Sequence, residues 1–273
     1  MKQIKFLMMA LTLLMGVTFT SCLDSGDSES TFDWAGYVYV RSYMGGVYFK
    51  DQAGNTLYPT SASLAQVEAN GFKVSDSKFA LIYVKHVDKE GTTPKDATNP
   101  STPQKFDVAL VGFQEIEYNQ TVIANDKNEM DQRAPETAPV ITLSVNDGFS
   151  VVNPMYYDDQ VLLMPISWGL TNDKDKFKQH KLYLACRIDE IKPADTDLTF
   201  YVRHDRGEDK EQQTYYAAMY AYEVNQAVEQ FTRITGNRPR NLVIKAHEAG
   251  FGTSQVPEIY REYKVEYKKP SVN

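Results

Sequence analysis

REYKVEYK, residues 261–268, alternates apolar and charged side chains with a period of two. Tyr263, Val265 and Tyr267 would share one face of an extended segment, and Lys264, Glu266 and Lys268 would share the other face. This alternation is typical of an antiparallel β-strand that buries one face and exposes the other to water. LTFYVRH, residues 198–204, shows the same pattern, so the sequence predicts an all-β chain.

Strand signals continue through the C-terminal half of the chain. Four further apolar runs have the length and composition of strands: QVLLMPISW (160–168), KLYLACRI (181–188), YYAAMYAYEV (215–224) and NLVIKA (241–246). One segment, residues 224–236, instead has the apolar spacing of a short helix that ends at Gly236. We therefore predict a β-sandwich over residues 142–273.

The N-terminal half also consists of short apolar runs with turn residues between them. These runs are YVYVRSY (37–43), VYFKD (47–51), TLYP (56–59), KFALIYVKHV (78–87) and DVALVGF (107–113). SLAQVEANG, residues 63–71, fits one short helix. Five strands and a helix are compatible with a small closed barrel over residues 32–124. Residues 125–141 are polar and carry Pro135 and Pro139, so we predict a linker there.

The first 22 residues have the parts of a secretory signal. Lys2 and Lys5 precede an apolar run over residues 6–19, and the small residues Thr20 and Ser21 precede Cys22. The run is too short for a permanent membrane span, which needs about 20 apolar residues. We predict a signal peptide over residues 1–21 and acylation at Cys22, because the signal ends at this cysteine. More than one acyl chain would make the membrane attachment lasting.

Cys22 has an alternative role, because the chain contains one other cysteine, Cys186. A disulfide between the two would suit an exported protein. Cys186, however, is in phase with Leu182 and Leu184 on a predicted strand, which favours a buried thiol without a partner. We therefore predict that residues 22–31 form a lipidated tether that holds the protein at the outer membrane, facing the periplasm or the cell surface.

The chain resembles the NigD-like lipoproteins of Gram-negative anaerobes. The resemblance rests on FTSC (19–22), the aromatic hairpin that ends in TLYP, the two apolar strands after it and the closing YKVEYK. It implies an N-terminal OB-type barrel followed by a C-terminal β-sandwich. It also implies an association with bacteriocin production, from which the family takes its name, and it supplies no catalytic residues.

The charge of the chain argues against nucleic acid as a partner. The formal net charge is −7. Residues 32–124 carry 8 basic and 10 acidic residues, and residues 142–273 carry 17 and 19. A nucleic-acid interface needs a concentrated positive footprint, which neither half offers.

Signals of catalysis are sparse in this sequence. Glu115 and Glu117 lie two residues apart on one strand face, and such a pair of carboxylates could serve a glycan hydrolase. Charged side chains on the solvated face of a strand are the alternative. The four histidines have no metal-ligand spacing, so we predict surface or strand-end positions, no metal and no cofactor.

Tyr216, Tyr220 and Tyr222 share one face of a predicted strand and could form a sugar-stacking platform. The alternative is that these tyrosines pack in the core, because tyrosine is a favoured strand residue. Two functions remain open. The first is a non-enzymatic envelope lipoprotein that binds a protein or a glycan, and the second is an envelope glycan hydrolase.

Overall fold

The computed structural model of the chain describes residues 32–87, 103–146 and 151–267. The predicted signal peptide, Cys22 and the tether lie outside the described residues. The described chain divides into two compact units, which comprise residues 32–118 and 119–267. Strands dominate both units, so the all-β fold class is confirmed.

The first unit is a closed five-stranded barrel. Its strands are β1 (Trp34–Tyr43), β2 (Gly46–Lys50), β3 (Thr56–Pro59), β4 (Phe79–His86) and β5 (Lys105–Gln120). The order around the barrel is β1-β2-β3-β5-β4, and the sheet closes because β3 pairs in parallel with β5 while β1 pairs with β4. Alternate residues point inward, and the core contains Val38, Phe49, Leu57, Ile82 and Val108.

A helix links the third and fourth strands of the barrel. Helix α1 (Ser61–Ala69) begins after Thr60, whose side-chain oxygen accepts a hydrogen bond from the Ser63 N–H at 3.3 Å. Val67 packs on the barrel core, and a short 3₁₀ turn (Val74–Asp76) follows. The chain then enters β4, as the apolar run at residues 78–87 predicts.

The second unit is a sandwich of two principal sheets. Its strands are β6 (Val122–Ala124), β7 (Val145–Asn146), β8 (Val151–Val152), β9 (Met155–Tyr156), β10 (Val161–Leu170), β11 (Lys181–Arg187), β12 (Asp197–Asp205), β13 (Thr214–Glu223), β14 (Asn241–Ala246) and β15 (Arg261–Glu266). One sheet has the order β15-β14-β12-β11-β6, the other contains β13, β10 and β9, and β7 and β8 form a separate pair. Trp168, Leu184, Phe200 and Tyr222 belong to the core cluster that joins the two sheets.

Within the described part of the chain, three helices accompany these strands: α2 (Lys127–Arg133), α3 (Lys174–Phe177) and α4 (Asn225–Thr235). Helix α4 buries Val228 and Phe231 in the sandwich core and ends at Gly236, which has a positive φ of 75°. None of the helices in the described ranges is long and apolar enough to cross a membrane.

Residues 125–141 are not a linker, and this part of the domain prediction is corrected. Asp126 caps α2 by accepting a hydrogen bond from the Glu129 N–H at 2.9 Å, and the helix buries Met130. Ala138 and Val140 are buried as well. The unit boundary therefore lies between residues 118 and 119, because β6 and the segment after it pack as part of the second unit.

Candidate binding surface and buried histidine network

The three tyrosines predicted as a binding platform lie on the core side of β13. Tyr220 and Tyr222 are buried, and the Tyr222 hydroxyl donates a hydrogen bond to the Leu182 carbonyl at 3.1 Å. Tyr216 is half-buried against Trp168, with ring centroids 4.8 Å apart. The binding prediction is thus corrected for Tyr220 and Tyr222, because these side chains fill the sandwich core.

The opposite face of β13 carries an exposed aromatic side chain that the sequence reasoning missed. Tyr215 is 49% exposed and meets Phe251, which is 52% exposed, in an edge-to-face contact with centroids 6.2 Å apart. Large aromatic rings are usually buried, so two adjacent exposed rings form a candidate contact surface. The sequence signal was present, because Tyr215 has the opposite phase to Tyr216.

A side-chain amide fixes the loop that presents Phe251. Gln212 donates from Nε2 to the Thr253 carbonyl at 3.0 Å and accepts from the Gly252 N–H at 2.9 Å. The Gln212 side chain lies against Gly169 of β10, where a Cβ atom would come within 2.5 Å of it. The absence of a side chain at residue 169 therefore makes room for this amide, and Phe251 is held in place before any ligand arrives.

A buried chain of hydrogen bonds runs through two histidines of the same unit. His204 Nδ1 lies 3.0 Å from the Pro139 carbonyl, and His204 Nε2 lies 2.8 Å from His180 Nδ1. His180 Nε2 in turn lies 3.0 Å from Asp209 Oδ2. The side chains of His180 and Asp209 are 2% and 1% exposed. The Thr171 N–H also donates to Asp209 Oδ2, at 2.9 Å.

The geometry of this chain fixes the number of protons that it holds. The Pro139 carbonyl and the Asp209 carboxylate can only accept, so three hydrogen bonds in series need three protons on the four ring nitrogens. Two neutral imidazoles carry two protons. The three bonds therefore need one proton more than two neutral rings carry, and the His180 ring is the one that contacts the Asp209 carboxylate.

The pKa values of the two groups on either side of His180 are both lowered. Burial is the main cause that lowers the pKa of His204 to about 4, and the neighbouring His180 lowers it further. Burial alone would raise the pKa of Asp209, but the hydrogen bonds from Thr171 and His180 outweigh it and hold that pKa below its usual range. All four ring nitrogens are engaged, so neither ring has a free nitrogen to exchange a proton with a substrate.

A second polar network lies around Arg203. Its guanidinium contacts Asp131 Oδ1 at 2.8 Å and Glu136 Oε2 at 3.9 Å, and His247 Nδ1 lies 2.9 Å from Glu136 Oε1. The His247 ring stacks on Tyr260 with centroids 3.7 Å apart. Burial raises the pKa of Glu136, while His247 and Arg203 counteract part of that rise. Removing one partner would leave a buried charge uncompensated, so the network ties the segment after α2 to β12.

All four histidines lie at or next to a strand end, as predicted, but three of them are buried and only one is at the surface. His86 is exposed at the end of β4, as expected. His204 and His247 are buried, and so is the His180 side chain. The sequence contained a signal for His204, because it continues the inward phase of Phe200 and Val202 on β12.

Glu115 and Glu117 are exposed side chains of β5 that flank the buried Ile116. Their separation by one residue places them on the outer face of the barrel strand, as the strand alternation predicts. Across the described ranges, no group of three or more histidine, cysteine or acidic residues could hold a metal ion. Cys186 is buried and free, and burial raises the pKa of its thiol to about 12.

Comparisons with known proteins find likeness among solved structures. A "Putative lipoprotein" from Bacteroides fragilis is 26% identical, with a TM-score of 0.68 over 87% of this chain and 99% of that chain. A "Putative toxin related protein" from Parabacteroides distasonis is 15% identical, with a TM-score of 0.53 over 87% and 94%. A NigD-like immunity protein from Bacteroides caccae is 13% identical, with a TM-score of 0.49 over 87% and 99%.

No protein-family model and no curated protein matches the chain. The likeness to the first two solved structures confirms the fold over most of the chain. The first match also agrees with the lipoprotein family that the sequence resembles.

Proposed function

We propose that this protein is a non-enzymatic lipoprotein of the cell envelope, anchored at the outer membrane through Cys22, which binds a protein or a glycan. Its likeness to a "Putative lipoprotein" supports the anchor, together with the signal and the cysteine at residues 1–22. The observation that carries the binding role is the exposed pair formed by Tyr215 and Phe251.

The pair is suited to binding because it is exposed and already fixed. The two rings present apolar faces and edges to solvent, and the Gln212 amide holds the loop of Phe251 in place. A ligand that buries both rings removes apolar surface from water at about 25 cal/mol per Å². Little conformational entropy is lost on binding, because tyrosine and phenylalanine have only two side-chain torsions each.

The contacts of the acidic and histidine side chains favour binding over glycan hydrolysis. A hydrolase of the usual kind needs two carboxyl groups on opposite sides of the scissile bond. Glu115 and Glu117 lie on the same outer strand face, and the ring nitrogens of His180 and His204 are all engaged by protein partners.

Binding can be tested with an array of envelope glycans and with crosslinking to envelope proteins. We expect the double variant Tyr215→Ala/Phe251→Ala to bind its ligand at least about tenfold more weakly than wild type, since the loss of two ring contacts exceeds about 1.4 kcal/mol. Tyr43→Ala is a matched control, because it removes a tyrosine that is 70% exposed on the other unit. Equal binding by the double variant and wild type, or release of sugars by the purified protein, would contradict the proposal.

A further inference from the structure

A second exposed surface lies on the barrel of the first unit. Val40, Phe49 and Leu57 point into the core from neighbouring positions on β1, β2 and β3. The residues on either side of them therefore point outward. We define the basic aromatic face by six residues. Four of them lie on β1, β2 and β3 and point away from the core, and two are their neighbours on β5: Arg41, Tyr48, Lys50, Tyr58, Lys105 and Asp107.

Strand register brings these side chains into rows. Arg41 pairs with Tyr48, and Tyr58 pairs with Asp107. The rings of Tyr48 and Tyr58 lie side by side across β2 and β3, with centroids 6.1 Å apart and planes tilted by 36°. Tyr58 is 39% exposed. The two rings form a short aromatic platform with a cation at one end and a carboxylate at the other.

The Arg41 guanidinium packs on the aromatic ring of Tyr39. Its central carbon lies 4.7 Å from the centroid of the Tyr39 ring, and Tyr39 is buried. Arg41 itself is exposed, so its N–H groups remain available to a ligand. A guanidinium fixed in this way can bind a carboxylate through two hydrogen bonds with little loss of entropy.

The face is positively charged although the chain is acidic. Lys50 and Lys105 flank Thr56 in the row beside the tyrosines. Neither lysine forms an ion pair within the described ranges, and neither does Arg41. Three cations and one carboxylate give the face a net charge of about +2, against −7 for the whole chain. The charge is therefore complementary to an anionic ligand.

We propose that this face binds an acidic polysaccharide that carries carboxylate groups on its sugar rings. The apolar C–H faces of the sugar rings stack on Tyr48 and Tyr58, while the carboxylates pair with Arg41, Lys50 and Lys105. An acidic peptide is the alternative ligand of the same charge, and poly-L-glutamate tests it below. The site goes beyond the proposed Tyr215–Phe251 surface and lies in the other unit.

Affinity electrophoresis of the purified protein tests this proposal. Polygalacturonate is the probe, neutral galactan has sugar rings without charge, and poly-L-glutamate has carboxylates without sugar rings. We expect retardation by polygalacturonate alone. The double variant Tyr48→Ala/Tyr58→Ala should bind about tenfold more weakly, because it removes both rings on which the sugar faces stack. Tyr48→Phe/Tyr58→Phe keeps both rings and should bind as wild type does.

Two further variants separate charge from stacking and this site from the other one. Lys50→Gln/Lys105→Gln should weaken binding and reduce its dependence on salt, because fewer counterions are exchanged. Tyr215→Ala should leave polygalacturonate binding unchanged, so that each of the two sites can fail without the other. Lack of retardation by polygalacturonate would overturn the proposal. Equal retardation by poly-L-glutamate, or full binding by the Ala double variant, would also overturn it.

Discussion

Replacement of His204 should flatten the acid dependence of the stability of the second unit. The pKa of His204 is about 4 in the folded protein, against about 6.5 in an unfolded chain. The unfolded state therefore binds more protons between these two values, so stability rises with pH across this window and is lost as the pH falls. One pKa unit corresponds to about 1.36 kcal/mol. Protonation of His204 alone should therefore lower the free energy of unfolding by about 2.5 kcal/mol between about pH 7.5 and about pH 4.5.

Urea unfolding at these two pH values measures the effect. Trp168 reports on this site, because its ring centroid lies 6.4 Å from that of His204. A Trp34→Phe background removes the other tryptophan, so fluorescence follows the second unit alone. In that background His204→Gln should lose about 2.5 kcal/mol less than the parent protein on acidification. His86→Gln, which removes an exposed histidine from the first unit, is the matched control.

The reasoning would be refuted if His204→Gln lost as much stability on acidification as its parent. If that variant does not fold, the ring resonances of His204 can be titrated by NMR in the wild-type protein. A midpoint near pH 6.5 would contradict the assignment of a neutral, buried ring. Asp209 loses its contribution at lower pH than His204, because its depressed pKa keeps the carboxylate charged until the pH falls below the ordinary aspartate value of about 3.9.

Three further predictions concern other parts of the chain. Gly169→Ala should displace the Gln212 amide by steric overlap and speed hydrogen exchange in the loop of Phe251. Unchanged exchange would contradict the role of Gln212 in fixing this loop. Met44→Asn should stabilise the barrel by up to about 1 kcal/mol in thermal unfolding, because Met44 has a positive φ of 50°, which asparagine tolerates better; an unchanged Tm would contradict this. Cys22→Ala should abolish labelling by a tagged fatty acid, and equal labelling of both proteins would exclude the anchor.

Strand positions were predictable because they follow from alternation along the sequence itself. The run at residues 261–268 contains β15, and Tyr263 and Val265 pack against the core as their phase predicts. The same alternation placed Tyr216, Tyr220 and Tyr222 on one face, but it could not say which face was the core. That choice depends on the opposite sheet, which comes from distant segments of the chain.

The segment at residues 125–141 was mispredicted for a related reason. Its composition is charged and proline-bearing, and the buried residues Met130, Ala134 and Ala138 are few and scattered. The burial of Met130 and Ala134 depends on contacts with Ala185 and Tyr201, which lie more than fifty residues later. The histidine network likewise joins residues 139, 180, 204 and 209 through tertiary contacts that no local pattern encodes.

The parallel pairing of β6 with β11 has a consequence for any attempt to divide the chain. β6 covers the outer edge of β11 in the five-stranded sheet. A fragment that begins at residue 142 would leave that edge with unpaired N–H and C=O groups, which are a template for pairing with another copy. Such a fragment should self-associate more readily than one that begins at residue 119, because the longer fragment keeps β6 over the edge of β11.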